Sequence, residues 1–320
     1  MLEAQSTLCW GRGAAANARW RRLVVVLTVL ASGGCASVPA ESKHGPGVDL
    51  LGHGDPDSAR ADAAHAPGWI GSGFFVWPSR ASTTGALSTD RPGFADSTSV
   101  TPRGHTQLEL GYTFTQDRER AARTRDQSIA QSSLRAGLLD NLELRFLWNG
   151  FSVTETKEAG ATEHDDGAGD MTVGLRSELI ENDGLVPDLT GLINLALPVG
   201  ASTKSAGDVA PDLRLAYGWA LTHSLRVYGV GIAAAAVDDD GRYFQGSGSA
   251  GLSWGVTEEF STFVEYFGIF PAGRGSPLHS VDGGFAFLLG DDVQVDVSAG
   301  FGLNADAPDV FVGVGLCWRW

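Results

Sequence analysis

From residue 105 to residue 320, apolar and polar residues alternate in short runs that are separated by turn-forming residues. The last run, residues 310–320, reads VFVGVGLCWRW, so that valine, leucine and tryptophan share one face of an extended chain. Residues 142–149 (LELRFLWN) and 212–219 (DLRLAYGW) alternate in the same way. Because successive side chains of a β-strand point to opposite faces, a period of two predicts strands, and no stretch of comparable length has a helical period.

The alternation predicts twelve strands, each near the roughly 9–11 residues that a tilted strand needs to cross a bilayer. The expected strands are 105–115, 126–138, 142–151, 169–180, 187–198, 208–219, 224–236, 242–254, 259–270, 279–289, 291–303 and 309–320. Tight turns are expected near residues 140, 182, 222, 257 and 290, and mostly longer connections over 116–125, 152–168, 199–207 and 271–278. Short periplasmic turns opposite longer extracellular loops are typical of a bacterial outer-membrane barrel.

A soluble β-sandwich produces the same alternation, so other features must separate the two folds. The polar faces carry many glycines and few lysines, which suits a confined lumen better than a surface in bulk water. Aromatic residues collect near strand ends, as at membrane interfaces. One belt is expected at Trp219, Trp254, Phe260, Trp318 and Trp320, and the other at Phe114, Trp148, Tyr243, Phe244 and Phe270. The sequence therefore predicts an all-β fold, a closed antiparallel up-and-down transmembrane β-barrel of about 12 strands, with a mostly disordered N-terminal region.

The first residues of the chain are typical of an export signal. Residues 1–36 combine three arginines at positions 19–22 with an apolar run over 23–31 and small residues around Cys35. Cys35 is a candidate lipidation site, although Ser32 stands where a bacterial lipobox usually has leucine. Cleavage without lipidation is the alternative.

Composition separates the rest of the chain into two parts. Residues 37–100 are rich in Gly, Pro and Asp and cannot bury enough apolar surface to fold alone, so we expect a flexible periplasmic segment. This segment is a candidate plug for the barrel, which is expected to comprise residues 101–320.

Charge and cysteine usage narrow the partners and cofactors. The formal net charge of -15 argues against nucleic acid, because phosphate binding needs a basic surface. Three cysteines, Cys9, Cys35 and Cys317, are too few and too scattered for a disulfide framework or a zinc site, and the histidines form no metal-ligand motif. No cofactor and no metal are therefore expected. The expected partners are outer-membrane lipid, an unidentified small solute and, through the C-terminal Trp320, the barrel-assembly machinery, which commonly recognises a terminal aromatic residue.

Three phrases resemble one particular family. Residues 89–96 (TDRPGFAD), 102–112 (PRGHTQLELGY) and 208–214 (DVAPDLR) are similar to those of outer-membrane transporters grouped under the MetA pathway of phenol degradation. The resemblance extends over residues 88–320. It implies a channel in the outer membrane of a Gram-negative bacterium, and the family's name points to small aromatic or other hydrophobic compounds. It supplies no catalytic or binding residues.

The assigned phase of alternation turns a set of charged side chains toward the lumen. These lumen-lining candidates are Glu109, Arg135, Glu143, Arg145, Arg176, Glu178, Asp212, Arg214, Arg226, Glu265, Asp282, Asp296 and Arg319. They are either a mixed-charge filter for solutes or a set of ion pairs that fills a sealed lumen. Asp90 and Arg91 precede the first strand and are candidate plug contacts within this lumen, or else belong to a periplasmic tail.

The sequence favours a protein that is not an enzyme. A channel predicts an open lumen, whereas a sealed structural or adhesive barrel predicts function in the loops, especially 152–168. A lipolytic barrel enzyme would require a serine–histidine contact, for which His279 and Ser280 are the nearest candidates, but the surrounding residues lack that family's motif. Glycines 246, 248 and 251 match a dinucleotide fingerprint by letters only, because no helix follows them.

Overall fold

The computed structural model describes residues 87–119 and 122–320, so the predicted signal peptide, the lipidation of Cys35 and residues 37–86 lie outside the described residues. The described part of the chain contains fourteen strands. They are β1 (Thr106–Glu119), β2 (Ala122–Leu139), β3 (Leu142–Trp148), β4 (Phe151–Glu158), β5 (Ala161–Ala168), β6 (Met171–Ile180), β7 (Asp188–Leu197), β8 (Ala210–Ala220), β9 (Leu225–Asp238), β10 (Gly241–Gly255), β11 (Phe260–Pro271), β12 (Leu278–Leu288), β13 (Val293–Gly302) and β14 (Val310–Arg319).

The strands form one antiparallel sheet that closes on itself, because β1 pairs with both β14 and β2. Strands that are neighbours in the chain are neighbours in the sheet, with one exception. β3 pairs with β6, while the β4–β5 hairpin between them in the chain joins the sheet through the pairing of β4 with β2. Twelve strands make up the closed wall. The predicted up-and-down barrel of about twelve strands is therefore confirmed.

The β4–β5 hairpin extends the sheet at one end of β3 and β6. β3 pairs with the second half of β2 and β4 pairs with its first half, so β3 and β4 follow one another along the same edge. The break falls at Gly150, which has a φ of 83° and whose added Cβ would meet the carbonyl oxygen of Ile129. Ala130, at the matching point of β2, has a φ of 56°. These left-handed residues interrupt the ladder without ending the hairpin.

The sequence prediction was wrong about the loops at this end of the barrel. Residues 152–168 were expected to be a loop but are mostly the β4–β5 hairpin, and β1 and β2 extend to Glu119 and from Ala122. The alternation disappears there because both faces of the β4–β5 hairpin carry polar side chains and neither face is consistently buried. A polar strand without alternation has the same sequence pattern as a loop.

The two faces of the wall differ in chemistry. Large apolar side chains on the outer face are exposed, for example Leu213 at 57% and Trp254 at 52%. The inner face carries most of the buried charged side chains. Tyr243, predicted to lie in an aromatic belt, instead shares the inner face with buried Gln245 and donates a hydrogen bond to its Oε1 at 3.3 Å. The described residues include no helix that is long and apolar enough to cross a membrane.

Candidate functional site

Residues 87–101, called here the inner segment, lie inside the barrel and are buried throughout. The segment precedes β1 and contains the charged side chains Asp90, Arg91 and Asp96. Each of these three side chains forms an ion pair with the wall. The lumen of this protein is therefore occupied by its own chain.

Two carboxylates of the inner segment meet three arginines of the wall. Asp90 accepts hydrogen bonds from Arg145 Nη2 and Arg176 Nη2, both at 2.6 Å, and its Oδ1 also accepts the backbone N–H of Ser97 at 2.8 Å. Asp96 pairs with Arg145 at 3.2 Å and with Arg214 at 3.2 Å. Arg145 and Arg176 are completely buried, so these pairs are shielded from water and depend on one another for charge balance.

A second cluster is built on Arg135 of β2. Its guanidinium pairs with Glu109 of β1 at 2.9 Å and with Glu143 of β3 at 2.8 Å. The same group donates to the carbonyl oxygens of Ser88 and Ser99, each at 2.9 Å. Glu143 in turn accepts the N–H of Thr101 at 2.6 Å. This cluster holds the two ends of the inner segment against one side of the wall.

Arg91 binds the part of the wall formed by β13 and β14, beside β1. Its Nη2 donates to the carbonyl oxygen of Val314 at 2.9 Å and lies 3.4 Å from Asp296. Glycines on the wall make room for this side chain: a Cβ added at Gly111 or at Gly315 would lie 2.8 Å from Arg91 Cζ. The wall is thus shaped to accept an arginine at this point.

The remaining side of the lumen is apolar, which the sequence did not predict. The ring of Phe94 stacks on Phe267 of β11 with ring centroids 4.6 Å apart, and Phe311 of β14 lies 6.0 Å from Phe267. Tyr228 and Val230 of β9 belong to the same buried cluster. Glu265 was predicted to face inward, and Phe267 lies two residues further along the same face of β11; only its packing against Phe94 marks this side of the lumen as apolar.

Two carboxylates stand within this apolar side. Glu265 of β11 accepts the backbone N–H of Phe94 at 2.6 Å and that of Ala95 at 3.1 Å. Asp282 of β12 is the register partner of Glu265, is 3% exposed, and has no hydrogen-bond partner on either carboxylate oxygen. Among the described residues, neither carboxylate forms an ion pair.

The predicted lumen-lining side chains all take positions on the inner face. Ten are buried and three, Glu178, Asp212 and Arg226, are partly buried. Glu178 accepts the N–H of Val100 at 2.8 Å, and Arg226 donates to Thr98 Oγ1 at 2.9 Å. Arg319 pairs with Asp292 at 2.8 Å, in a tight turn at one end of the barrel.

Sequence reasoning missed Asp96 as a contact and Asp188 as the partner of Arg226, at 2.7 Å. Asp96 lies in residues 89–96 (TDRPGFAD), whose resemblance to the family was the one sequence signal that Asp90 and Asp96 could belong to the same site. His279 and Ser280 point to opposite faces of β12: Ser280 is buried in the lumen, whereas His279 Nδ1 lies 2.7 Å from the hydroxyl of exposed Tyr266. These two residues do not form the contact that a lipolytic enzyme requires.

The described residues contain no cluster of three or more His, Cys, Asp or Glu side chains arranged to hold a metal ion. Cys317 is fully buried on the inner face of β14. A buried thiol among wall residues packs as a small side chain.

Fold and lumen together define a closed twelve-stranded β-barrel of the outer-membrane type with an N-terminal segment lodged inside. The family described as "Putative MetA-pathway of phenol degradation" matches residues 89–320, and the chain belongs to this family. The match begins within the inner segment, so the segment and the barrel belong to one family unit.

Several solved structures are similar to this chain. An outer-membrane channel from Pseudomonas putida F1 is 15% identical, with a TM-score of 0.54 over 69% of this chain and 97% of that chain. The NanC porin is 8% identical, with a TM-score of 0.42 over 67% and 98%. The KdgM porin is 11% identical, with a TM-score of 0.42 over 66% and 98%. No curated protein matches at the sequence level.

Proposed function

We propose that this protein is a channel for small solutes in the outer membrane of a Gram-negative bacterium, and that the inner segment closes its lumen. The exposed apolar outer face supports a position in lipid, since a soluble protein seldom exposes so many large apolar side chains. Family membership is consistent with this location. Export would depend on residues 1–36, with or without lipidation of Cys35.

The observation that carries the proposal is the width of the lumen. The inner segment is hydrogen-bonded to inward-facing groups on β1, β2, β3, β6, β7, β8, β9, β11, β13 and β14. A single stretch of chain therefore fills the cross-section and touches most of the wall. When this stretch leaves, a passage at least as wide as a peptide remains, which is enough for a small solute.

The chemistry of the lining supports the class of solute. The apolar side around Phe267 and Phe311 offers rings to an aromatic or other hydrophobic compound, and the charged side around Arg145 and Arg176 would face water once the inner segment leaves. The family's name points to the same class of compounds. We therefore propose small aromatic or hydrophobic compounds as solutes.

One observation favours a second candidate, a sealed structural or adhesive barrel. All three charged side chains of the inner segment are paired with buried wall residues, and breaking such pairs is costly. In a sealed barrel, function would reside at the outer end, where the β4–β5 hairpin projects. The two candidates differ in whether the segment leaves the lumen.

Single-channel conductance in a planar bilayer distinguishes them. The refolded full chain would be compared with two deletions, one lacking residues 41–100 and a matched control lacking only 41–86, which keeps the inner segment. A channel predicts steady ohmic steps that are larger or more frequent for the 41–100 deletion than for the control. Silence of every variant, with barrel folding verified by heat-modifiable migration on a gel, would contradict the channel and favour the sealed barrel.

A further inference from the structure

The charges of the lumen are unevenly distributed. The arginines that bind Asp90 and Asp96 come from β3, β6 and β8, and Arg91 is directed toward β13 and β14. On β11 and β12, Glu265 and Asp282 face each other across one register position, and no ion pair of the described residues reaches either one. The apolar side of the lumen thus carries two carboxylates without a cation.

Asp282 is the more informative of the two. It is 97% removed from solvent, its side chain lies on the inner face with buried Ser280 and Ala286, and neither of its oxygens has a hydrogen-bond partner. A buried carboxylate without a partner is energetically costly, so such a group is paired, is neutralised by a proton, or is used to bind a ligand. Glu265, by contrast, is partly satisfied by two N–H groups of the inner segment.

Aromatic rings border these carboxylates. A Cβ added at Gly300, the register partner of Asp282 on β13, would lie 2.6 Å from Asp282 Cβ and would also strike the ring of Phe311. The Phe311 ring therefore lies over Gly300, beside Asp282. Phe267 follows 6.0 Å from Phe311. Ring faces next to carboxylates are the chemistry that recognises an organic cation.

The inner segment already places an aromatic ring and two N–H donors beside Phe267 and Glu265. Phe94 stacks on Phe267 with an interplanar angle of 6°, while its own N–H and that of Ala95 donate to Glu265. The segment thus offers an aromatic ring together with N–H donors, but it brings no positive charge and leaves Asp282 unpaired. A ligand that also carries a cation would satisfy both carboxylates.

We propose that Glu265, Asp282, Phe267 and Phe311 form a binding site for a small organic cation that carries an aromatic ring, and that Phe94 and Ala95 occupy this site in its absence. The route by which a ligand reaches the site rests on the proposed channel. The ligand and the inner segment compete for the site, because Phe94 and Ala95 already occupy the face of Phe267 and the oxygens of Glu265.

Calorimetric titration of the full chain, refolded in detergent, tests the proposal. The probes are benzylammonium, its neutral isostere benzyl alcohol, and methylammonium, which has the charge without the ring. We expect benzylammonium to bind at least tenfold more tightly than either of the others. Because this comparison uses the unaltered chain, it does not depend on the folding of any variant.

Three variants locate the site. Asp282→Asn is expected to lower benzylammonium affinity about tenfold or more and to leave benzyl alcohol unaffected, whereas the matched control Asp208→Asn, at an exposed carboxylate, changes neither. Phe94→Ala is expected to raise benzylammonium affinity by freeing the ring of Phe267. Binding seen only after Phe94→Ala also supports the proposal, since it shows that the segment occupies the site.

Any of three results would overturn the proposed binding site. They are equal affinities for benzyl alcohol and benzylammonium, an unchanged benzylammonium affinity in Asp282→Asn, or the failure of both the full chain and Phe94→Ala to bind benzylammonium. These readouts are separate from conductance. A barrel that never conducts but binds benzylammonium through Asp282 refutes the channel and keeps the site. A conducting barrel that does not bind it refutes the site alone.

Discussion

Replacement of Asp90 by asparagine is expected to increase the fraction of time for which the lumen is open by about two orders of magnitude. In the closed barrel, Asp90 binds two buried guanidinium groups at 2.6 Å and one backbone N–H at 2.8 Å. Asparagine keeps the size of the side chain, but it has one acceptor oxygen in place of two and no charge. Its amide nitrogen would face an arginine donor.

The magnitude follows from the burial of the partners. Removing one member of a buried ion pair costs about 3–5 kcal/mol. We take the lower end, about 3 kcal/mol, because Asp96 still accepts from Arg145 and Arg176 at 3.2 and 3.4 Å. In the open barrel the same arginines face water, so the cost falls on the closed state alone. At about 1.4 kcal/mol per tenfold change, the ratio of open to closed barrels rises roughly 150-fold.

Long single-channel recordings measure this ratio directly as the open fraction. The matched control is Asp208→Asn, whose carboxylate pairs with Arg242 at 2.8 Å but is 63% exposed, so its loss is expected to leave the open fraction unchanged. Equal open fractions for the two variants, in a protein whose 41–100 deletion conducts, would refute the reasoning. The segment would then be held by its apolar and backbone contacts rather than by charge.

Three further predictions concern the wall. Deletion of residues 41–100 in a Cys35→Ser background is expected to raise the rate of Cys317 labelling by a small water-soluble methanethiosulfonate by at least tenfold, since Cys317 is fully buried in the lumen; an unchanged rate would mean that other groups cover the thiol. Gly315→Ala is expected to raise the open fraction in single-channel recordings, because the added Cβ would lie 2.8 Å from Arg91 Cζ, while Gly246→Ala, whose Cβ meets only a ring carbon at 3.8 Å, serves as its control. Leu213→Arg, on the exposed outer face, is expected to destabilise the barrel in lipid vesicles by about 2–4 kcal/mol if the residue lies near the bilayer midplane, measured by urea unfolding; no loss of stability would contradict a lipid-facing position.

The strands could be predicted from the sequence wherever one face of the wall is apolar and the other is polar. Residues 310–320 and 142–148 alternate cleanly because their outward side chains must be apolar and their inward side chains line a polar lumen. The ends of β1 and β2 beside the β4–β5 hairpin, and the hairpin itself, escaped prediction because neither of their faces is consistently apolar. The fold therefore follows from periodicity, but the full length of its strands does not.

The site could be predicted only in part for a related reason. Period two identified the inward charged residues, such as Arg135 and Glu143, without identifying their partners, because those partners are fixed by contacts between distant parts of the chain. Phe94 and Asp96 stand in a stretch without periodicity, so only the resemblance to a family drew attention to it. The inward position of Phe267 follows from that of Glu265 on the same strand, but its contact with Phe94 could not be predicted from periodicity.

The short connection between the inner segment and β1 makes the segment a tethered blocker. The segment ends at Thr101, β1 begins at Thr106, and the residues between them are fixed to β2 by hydrogen bonds between Gly104 and Gly137 at 3.0 Å and between Gly137 and His105 at 3.1 Å. A segment that leaves the lumen therefore remains attached at the end of the barrel where the tight turns lie. Short flexible tethers give effective concentrations in the millimolar range. Closure is then intramolecular and independent of how many barrels the membrane holds, and a free peptide of the same sequence would need about millimolar concentration to compete with it.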